Sequence, residues 1–286
     1  MATLENYPPY LLQKNGKSAV PLLIASPHSG TFYPERLFKL SDLTLADFQK
    51  YEDPAVADLF SFAPAMGLPL LSAVYGRAWV DLNRHPLELD PALFFDEIPP
   101  QALTDSPRVK AGYGVIPARL SPTLPVYPKQ LLWAKEQSRL TRIHFPYHAA
   151  LTDLINKNIA AFGYSVLIDV HSMPDLPPEH CAKGQMPDIV LGDADGVSCS
   201  PALTAAAADI LRDLGFFVTV NLPYAGAYTT RYYGHPDRKS HVLQIEIARA
   251  LYWDADKHQA SENFKNLWFK LSLFTERLIR FIKTKK

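Results

Sequence analysis

The stretch YSVLIDVHSMP, residues 164–174, determines the predicted fold of this chain. Its apolar first part is typical of a buried strand in an α/β sheet. Side chains alternate along a strand, so Asp169 and His171 are expected on one face, near the carboxyl end where open α/β sheets bind ligands. Such a pair is typical of a metal ligand with its hydrogen-bonded partner, and equally of a core histidine satisfied by Asp169. Polar residues beside other predicted strands favour the first interpretation, a metal-binding site.

Strands and helices alternate along the rest of the chain. Apolar runs predict strands over 20–26, 68–74, 78–82, 165–170, 188–191, 216–220 and 242–248, and helical spacing covers 45–66, 129–162, 201–214 and 257–284. Pro54 and Pro64 interrupt the first helical segment, and a break near Phe145-Pro146 is expected in the second. This alternation predicts a three-layer α/β/α fold with a mixed, mostly parallel sheet. We expect a single domain over residues 1–286, with long irregular insertions near 85–128 and 221–240. Loops of that length are usually functional.

Composition narrows the class of protein. Hydrophobic residues make up 48% and charged residues 20% of the 286, and the formal net charge is +0, so nucleic acid is not the expected partner. No apolar run approaches the roughly 20 residues of a membrane span, and Met1–Asn6 lacks the regions of a signal peptide. Cys181 and Cys199 have no CxxC spacing. A soluble cytoplasmic protein with reduced thiols is expected.

A second histidine follows a predicted strand in the same way as His171. His28 lies just beyond the strand at 20–26. Zinc hydrolases typically bind their metal through two histidines and a carboxylate, with a fourth position for water. Glu52 and Asp53 open an apolar helix, and either could be the third ligand. Acids at a helix start could also simply interact with the helix dipole.

Glu246 is the most unusual residue of the chain, because it lies within the apolar strand at 242–248. Gln244 and Glu246 share one face of that strand. A buried carboxylate is rarely unpaired, since desolvating a lone charge costs several kcal/mol. It could form a structural ion pair with Arg249 or Arg231, or it could be the general base that hydrolysis requires. We favour the second interpretation.

Arginines near two predicted loops indicate a substrate that carries a carboxylate. Asp81-Leu82-Asn83-Arg84 ends a predicted strand, with Arg77 just before it, and Arg231 lies in the irregular segment at 221–240. Guanidinium groups bind carboxylates in a bidentate manner, and an asparagine adds a donor. The GxSxG, GxGxxG and GxxxxGK[ST] motifs are absent, so the sequence supports neither a serine hydrolase nor a nucleotide cofactor.

Taken together, these motifs resemble those of a known family. The chain is similar to the N-formylglutamate amidohydrolases from about His28 to Tyr252. The segments that carry the similarity are SPHSG at 26–30, VDLNR at 80–84, DVHSMP at 169–174, NLPYAG at 221–226 and QIEIAR at 244–249. That family is related to the zinc carboxypeptidases and to aspartoacylase, which share a mixed-sheet α/β/α fold. The resemblance therefore implies a hydrolase fold of the zinc carboxypeptidase type.

The resemblance implies one zinc ion per chain. It assigns His28 and His171 as ligands, and it places Asp53 where the family has an acid before an apolar helix. The carboxypeptidase relatives take their acid three residues after the first histidine, and that position is Thr31 here. Glu52 stays open as the alternative to Asp53.

The remaining roles also follow from the resemblance. Glu246 matches the general base of the relatives. Asn83 and Arg84 match the pair that binds the substrate carboxylate in aspartoacylase, with Arg77 and Arg231 as weaker additions.

The implied activity is zinc-dependent removal of a formyl group from an acidic N-acylamino acid such as N-formylglutamate. Its products would be formate and glutamate, at the end of histidine degradation. Two alternatives stay open: deacylation of another N-acylamino acid, as in aspartoacylase, and a non-catalytic metal-binding or ligand-binding module. The expected partner is a small N-acylamino acid, with no nucleic acid and no membrane, and the sequence does not predict the oligomeric state.

Overall fold

A computed structural model describes residues 7–16, 18–175 and 184–284, so Cys181 lies outside the described chain. Residue contacts divide the chain into two compact units. The first contains the described residues up to Leu11, Pro27–Glu52 and Ser72–Ala150. The second contains Leu12–Ser26, Asp53–Leu71 and the described residues from Leu151 onward. Organisation as a single domain stays a prediction.

Strands and helices alternate through most of the described chain. The strands are β1 (Tyr10–Gln13), β2 (Leu22–Ser26), β3 (Leu70–Ala73), β4 (Arg119–Ser121), β5 (Leu124–Pro125), β6 (Ser165–Met173), β7 (Ile189–Gly192), β8 (Val218–Val220), β9 (Ser240–Ala248), β10 (Trp253–Asp254) and β11 (Gln259–Ala260). The α-helices are α1 (Glu35–Leu40), α2 (Leu45–Gln49), α3 (Val56–Leu59), α4 (Pro107–Lys110), α5 (Trp133–Glu136), α6 (Phe145–Phe162), α7 (Pro201–Asp213), α8 (Tyr228–Tyr233) and α9 (Phe264–Thr284).

The main sheet of the described chain has seven strands in the order β1-β3-β2-β6-β9-β7-β8. Strands β2, β6 and β9 are parallel neighbours, β7 runs antiparallel to β9, and β8 runs parallel to β7. The sheet is therefore mixed and mostly parallel among these strands, as predicted. Because β2, β6 and β9 run in one direction, their carboxyl ends lie at the same edge of the sheet.

The two faces of β6 and β9 bury different kinds of side chain. Val166, Ile168 and Val170 of β6 and Ile245 of β9 belong to the largest apolar core, which also includes buried residues of α3, α7 and α9. The opposite face carries Asp169, His171, Gln244 and Glu246. Helix α8 contacts β9 on that face through Thr230, whose hydroxyl lies 3.4 Å from Gln244 Oε1. Helices on both faces confirm the three-layer α/β/α fold.

The first unit is organised around a buried arginine. The guanidinium of Arg139 stacks 3.4 Å from the centroid of the Trp79 ring. Its Nη1 donates to Trp79 O at 2.9 Å and to the Tyr127 hydroxyl at 2.7 Å, and its Nε donates to Glu136 Oε2 at 2.8 Å. Burial of this charge is compensated because the carboxylate and the oxygen acceptors surround it.

The strand predicted at 78–82 is wrong. Residues 77–79 and 82–83 form turns, and Trp79 N donates to Gly76 O at 2.9 Å. The Asp81 carboxylate accepts the backbone N–H of Asn83 at 2.9 Å. Aspartate side chains that bond to the backbone two residues on stabilise turns and compete with strand pairing. The apolar character of Ala78 and Val80 reflects burial within the first unit, not a sheet.

Two predicted helices have different boundaries. The helix expected at 129–162 is interrupted, and the interruption includes the expected break near Phe145-Pro146: α5 ends at Glu136, Leu140–His144 form a π-helical turn, and α6 begins at Phe145. Pro146 lacks the N–H that an α-helical bond would need, and Phe145 N donates to Leu140 O. The helix expected from 257 begins at Phe264, because β10 and β11 pair as a hairpin before it.

The strands predicted near 165–170, 188–191 and 242–248 and the helix at 201–214 are confirmed as β6, β7, β9 and α7. The predicted irregular segments contain α4, β4 and β5 in 85–128, and α8 in 221–240. None of the helices in the described ranges combines the length and the apolar character that a membrane crossing requires.

Substitution of Ile245 by alanine should lower the free energy of unfolding by about 2–5 kcal/mol, because it leaves a cavity beneath the centre of the sheet. Ile245 is fully buried, whereas Val220 on β8 is 36% exposed. Val220→Ala, the control, should cost less than about 1 kcal/mol. Denaturant unfolding measures both. An equal, small effect of the two substitutions would contradict the assignment of Ile245 to the core.

Candidate active site

The register of the parallel strands places polar side chains side by side. Asp169 of β6 is opposite Gln244 of β9, and His171 is opposite Glu246. Paired residues of neighbouring parallel strands point to the same face of the sheet. All four side chains are buried, and Gln244 Nε2 donates to Glu246 Oε1 at 2.9 Å. A row of buried polar groups therefore crosses two strands near their carboxyl ends.

His171 contacts a carboxylate at each ring nitrogen. Its Nδ1 lies 3.1 Å from Asp53 Oδ2, and its Nε2 lies 3.2 Å from Asp169 Oδ2. Burial lowers the pKa of His171, but the charge and hydrogen bond of Asp169, the hydrogen bond of Asp53 and the charge of Glu246 raise that pKa well above its usual value. The surroundings of His171 therefore favour a positive charge at this position.

Asp53 is held in place by its other oxygen. Asp53 Oδ1 accepts hydrogen bonds from the Ser172 hydroxyl and from Arg249 Nη2, both at 3.2 Å. The Tyr252 hydroxyl donates to Pro54 O at 2.8 Å, which anchors the segment before α3. Asp53 is 1% exposed, so its carboxylate is fixed in direction with Oδ2 towards His171.

Glu52 is also buried, but it has a different neighbour. Burial, together with the charge and hydrogen bond of Glu52, raises the pKa of the Tyr33 hydroxyl well above its usual value. Of the two acids left open by the sequence, Asp53 is therefore the one placed beside His171.

His28 follows β2 by two residues and is 3% exposed. Its Nε2 lies 2.7 Å from Asp81 Oδ1, and Arg77 Nη2 lies 3.0 Å from Asp81 Oδ2. Burial raises the pKa of Asp81, but His28, Arg84 and Arg77 hold it well below its usual range. Asp81 is therefore an ionised partner that fixes the orientation of the His28 ring.

The described residues contain one group with the composition of a metal site. His28, Asp53 and His171 each offer a ligand atom, and these atoms lie within 4.8 Å of one another. All three residues are buried. Two histidines and one carboxylate are the ligand set of many catalytic zinc sites, which leave a further position for water or substrate.

The turn at residues 81–84 is supported by two buried histidines, one at the end of the π-helical turn before α6 and one in the first part of α6. His144 Nε2 lies 3.0 Å from Arg84 O, and His148 Nε2 lies 2.9 Å from Leu82 O. Burial lowers the pKa of His144 to about 4, and burial with the nearby His144 lowers the pKa of His148 to about 3. Both rings are therefore neutral near pH 7, and each can donate a hydrogen bond to a backbone carbonyl of the turn.

The predicted substrate-binding residues differ in burial: Arg84 and Asn83 are buried, and Arg231 is exposed. Arg84 is 7% exposed, and its Nε and Nη1 donate to Tyr113 O and Asn83 O, at 2.9 and 2.8 Å. Its Nη2 lies 4.0 Å from Asp81. Asn83 is buried in the same turn. Arg231 lies on α8 with an exposed side chain, 3.8 Å from Asp195.

Several residues of the site had no predicted role. Asp81 lies within the DLNR motif, in which the sequence indicates roles for Asn83 and Arg84. Arg249, one of the two predicted ion-pair partners of Glu246, contacts Asp53 and Ser172, with its Nε 2.9 Å from the Ser172 hydroxyl. The adjacency of Arg249 to the Glu246 strand was a usable signal, but its partner lies 196 residues away in the chain.

Comparisons with known proteins identify the family. A model of the N-formylglutamate amidohydrolase family matches residues 20–253. The chain is 32% identical over 244 residues to an N-formylglutamate deformylase of Pseudomonas aeruginosa, with 83% of this chain and 84% of that protein covered. It is 30% identical over 245 residues to one of Pseudomonas putida, with 82% of each covered.

A solved structure is similar over nearly the whole chain. It is the crystal structure of N-formylglutamate amidohydrolase from Ralstonia eutropha JMP134, with a TM-score of 0.91 and 32% identity. The match covers 98% of this chain and 100% of that one.

His148 should make the protein less stable in acid. Its pKa falls from 6.5 to about 3 on folding, so below pH 6.5 the unfolded chain binds a proton that the folded chain does not. The free energy of unfolding should therefore fall by about 1.4 kcal/mol per pH unit for this residue as pH decreases from 6.5 towards 3. In His148→Gln the slope between pH 6 and 4.5 should be shallower by that amount, measured by denaturant unfolding. An unchanged slope would contradict a neutral buried His148.

Proposed function

Because the chain belongs to the N-formylglutamate amidohydrolase family, we propose that it is a zinc-dependent hydrolase that cleaves N-formyl-L-glutamate to formate and glutamate. The observation that carries the proposal is the buried group of His28, Asp53 and His171, with Glu246 opposite His171 on the next strand. Such a group is expected of an enzyme, since a protein that only binds metal has no need of a carboxylate base beside the ligands.

The residues of the group fit a zinc ion. Two ligands at about 2.1 Å from a tetrahedral ion are about 3.4 Å apart, and His171 Nδ1 and Asp53 Oδ2 are 3.1 Å apart. We propose that His28, His171 and Asp53 hold the metal. A bound zinc ion would supply Lewis acidity, which polarises an amide carbonyl and acidifies water.

The hydrogen bonds of the two histidines indicate which nitrogens would face the metal. Nε2 of His28 is bonded to Asp81, and Nε2 of His171 is bonded to Asp169. Each histidine would therefore use Nδ1 as its ligand atom. Carboxylates bonded to the second nitrogen fix the tautomer of a ligand histidine and make it more basic. Asp81 and Asp169 are thus proposed as positioning residues.

Glu246 is proposed as the general base. It is 9% exposed and lies opposite His171 on the next strand, close enough for its charge to raise the pKa of His171. Glu246 accepts a proton as water attacks the formyl carbon. It then delivers that proton to the amide nitrogen as the carbon–nitrogen bond breaks, so that formate and the free amine of glutamate leave.

The substrate carboxylates are proposed to bind at the basic residues of the first unit. Arg77 and Arg84 are near Asp81, and Asn83 lies in the same turn. Arg84 already bonds two backbone carbonyls, so its Nη2 is the atom best placed for a substrate oxygen. Arg231, exposed on α8, is the weakest of the proposed contacts.

Metal analysis tests the ligand assignment. Purified protein should contain about one zinc per chain, and His28→Ala and His171→Ala should each lose it. Asp169→Asn should keep the fold and weaken metal affinity by about 10- to 100-fold, because the ligand histidine loses its partner. His235→Ala, which removes an imidazole outside the group, is the control. Full zinc occupancy in both histidine variants would overturn the assignment.

Glu246→Gln tests the catalytic role. Glutamine has nearly the same shape, so the strand and the metal content should persist. The kcat for N-formylglutamate should fall by about 10²- to 10⁴-fold, because no carboxylate accepts the proton of water. Full activity in the variant would contradict the mechanism, and loss of metal together with activity would make Glu246 a ligand.

The acyl group is tested with formyl-, acetyl- and succinyl-glutamate as substrates of the unmodified protein. Preference for the formyl compound supports the proposal. Preference for another acyl group would make the chain a deacylase of a different N-acylamino acid, and no hydrolysis of any of them would contradict an amidohydrolase function.

A further inference from the structure

A small basic cavity lies next to Asp81 in the first unit. Its volume is about 180 Å³, which is less than the roughly 300–1,000 Å³ of pockets for drug-sized ligands and suits a short side chain. Four arginines line it together with Asp81 and Tyr113: Arg77, Arg84, Arg108 and Arg119. Since Asp81 also bonds His28, the cavity begins one side chain away from a proposed metal ligand.

The four guanidinium groups differ in how they are already engaged. Arg84 bonds two backbone carbonyls, and Arg77 pairs with Asp81 at 3.0 Å. Arg119 Nη1 donates to Pro122 O at 3.0 Å. Arg108 lies on α4, and its guanidinium makes no hydrogen bond or ion pair with any residue in the described ranges. All the side-chain donors of Arg108 are therefore available to a ligand, whereas each of the other three arginines uses at least one donor within the described chain.

The acidic groups near the cavity do not neutralise it. Asp81 is shared among His28, Arg77 and the N–H of Asn83. Glu88 accepts hydrogen bonds from the Ser106 hydroxyl and from His85 N, at 2.8 and 3.1 Å. Burial lowers the pKa of Arg84. The negative charge of Asp81 raises that pKa, and the positive charges of Arg77 and Arg108 lower it. The positive charges are thus close enough to repel one another, and an anion would relieve that repulsion.

We infer that Arg108 is the residue that selects a substrate with a second carboxylate, by binding the side-chain carboxylate of the N-formylamino acid in this cavity. The inference rests on the proposed function, because it names the occupant as part of that substrate. Arg84 and Asn83, on the turn at 81–84, bind one carboxylate, and Arg108 reaches the cavity from α4 to bind the other. A planar guanidinium binds a carboxylate through two parallel hydrogen bonds.

The experiment compares a substrate with its neutral isostere. N-formyl-L-glutamate and N-formyl-L-glutamine differ only at the end of the side chain, which is a carboxylate in the first and a neutral amide in the second, so the ratio of their kcat/KM values isolates the second carboxylate. Arg108→Gln should lower this ratio by about 10- to 100-fold, as expected for loss of a charged hydrogen bond. Arg108→Lys should recover part of the ratio, since a point charge replaces the planar group.

Lys110→Gln is the matched control. It removes one positive charge from the same helix, and Lys110 pairs with Asp105 and is not part of the cavity. The ratio should stay unchanged in this variant. A fall as large as that in Arg108→Gln would show a general effect of net charge and would overturn the inference, as would an unchanged ratio in Arg108→Gln.

Calorimetric binding of L-glutamate and L-glutamine separates this inference from the proposed function. Unmodified protein should bind glutamate more tightly, and Arg108→Gln should remove most of that difference. If the protein shows this pattern but hydrolyses no N-formylglutamate, the proposed function fails and the carboxylate site stands. If it hydrolyses N-formylglutamate but the preference for glutamate is the same in Arg108→Gln, the function stands and the role of Arg108 fails.

Discussion

Burial of carboxylates around His171 is the constraint on which the rest of the structure depends. Asp53, Asp169 and Glu246 are at most 9% exposed, and His171 contacts the first two within 3.2 Å. Removing several negative charges from water costs several kcal/mol each unless cations compensate them. Arg249 supplies one positive charge to Asp53. A divalent cation at the proposed site of His28, Asp53 and His171 would compensate the remaining negative charge.

Strand register and backbone hydrogen bonds fix the positions of the side chains in the candidate site. Glu246 and His171 are aligned by the register of two parallel strands, which a one-residue slip would destroy. The turn at 81–84 is fixed by the Asp81 side chain and by the neutral rings of His144 and His148. Asp81 contacts residues of both proposed roles, metal binding and substrate binding. One of its oxygens orients His28, a proposed metal ligand, and the other pairs with Arg77, a proposed substrate contact. Groups fixed in this way need little reorganisation when substrate binds.

The sequence correctly predicts those parts of the fold and the site that a local pattern of residues determines. The alternation of β6 and β9 predicted which side chains share a face, and that placed Asp169, His171 and Glu246 correctly relative to their strands. It failed at 78–82, where buried apolar residues lie in and between turns and not in a strand of the sheet. It could not identify Arg249 as the partner of Asp53 or Arg108 as a cavity residue, because both depend on contacts between distant segments. A single arginine in the sequence carries no local signal of such contacts.

The central claim is that His28, His171 and Asp53 bind one zinc ion, with both histidines using Nδ1. Anomalous diffraction at the zinc absorption edge from crystals of zinc-loaded protein tests it most directly. The account predicts a single strong peak bonded to Nδ1 of His28, Nδ1 of His171 and the carboxylate of Asp53, with Asp81 and Asp169 still bonded to the Nε2 atoms. A peak coordinated through Nε2, or zinc bound elsewhere while this group stays without metal, would contradict it.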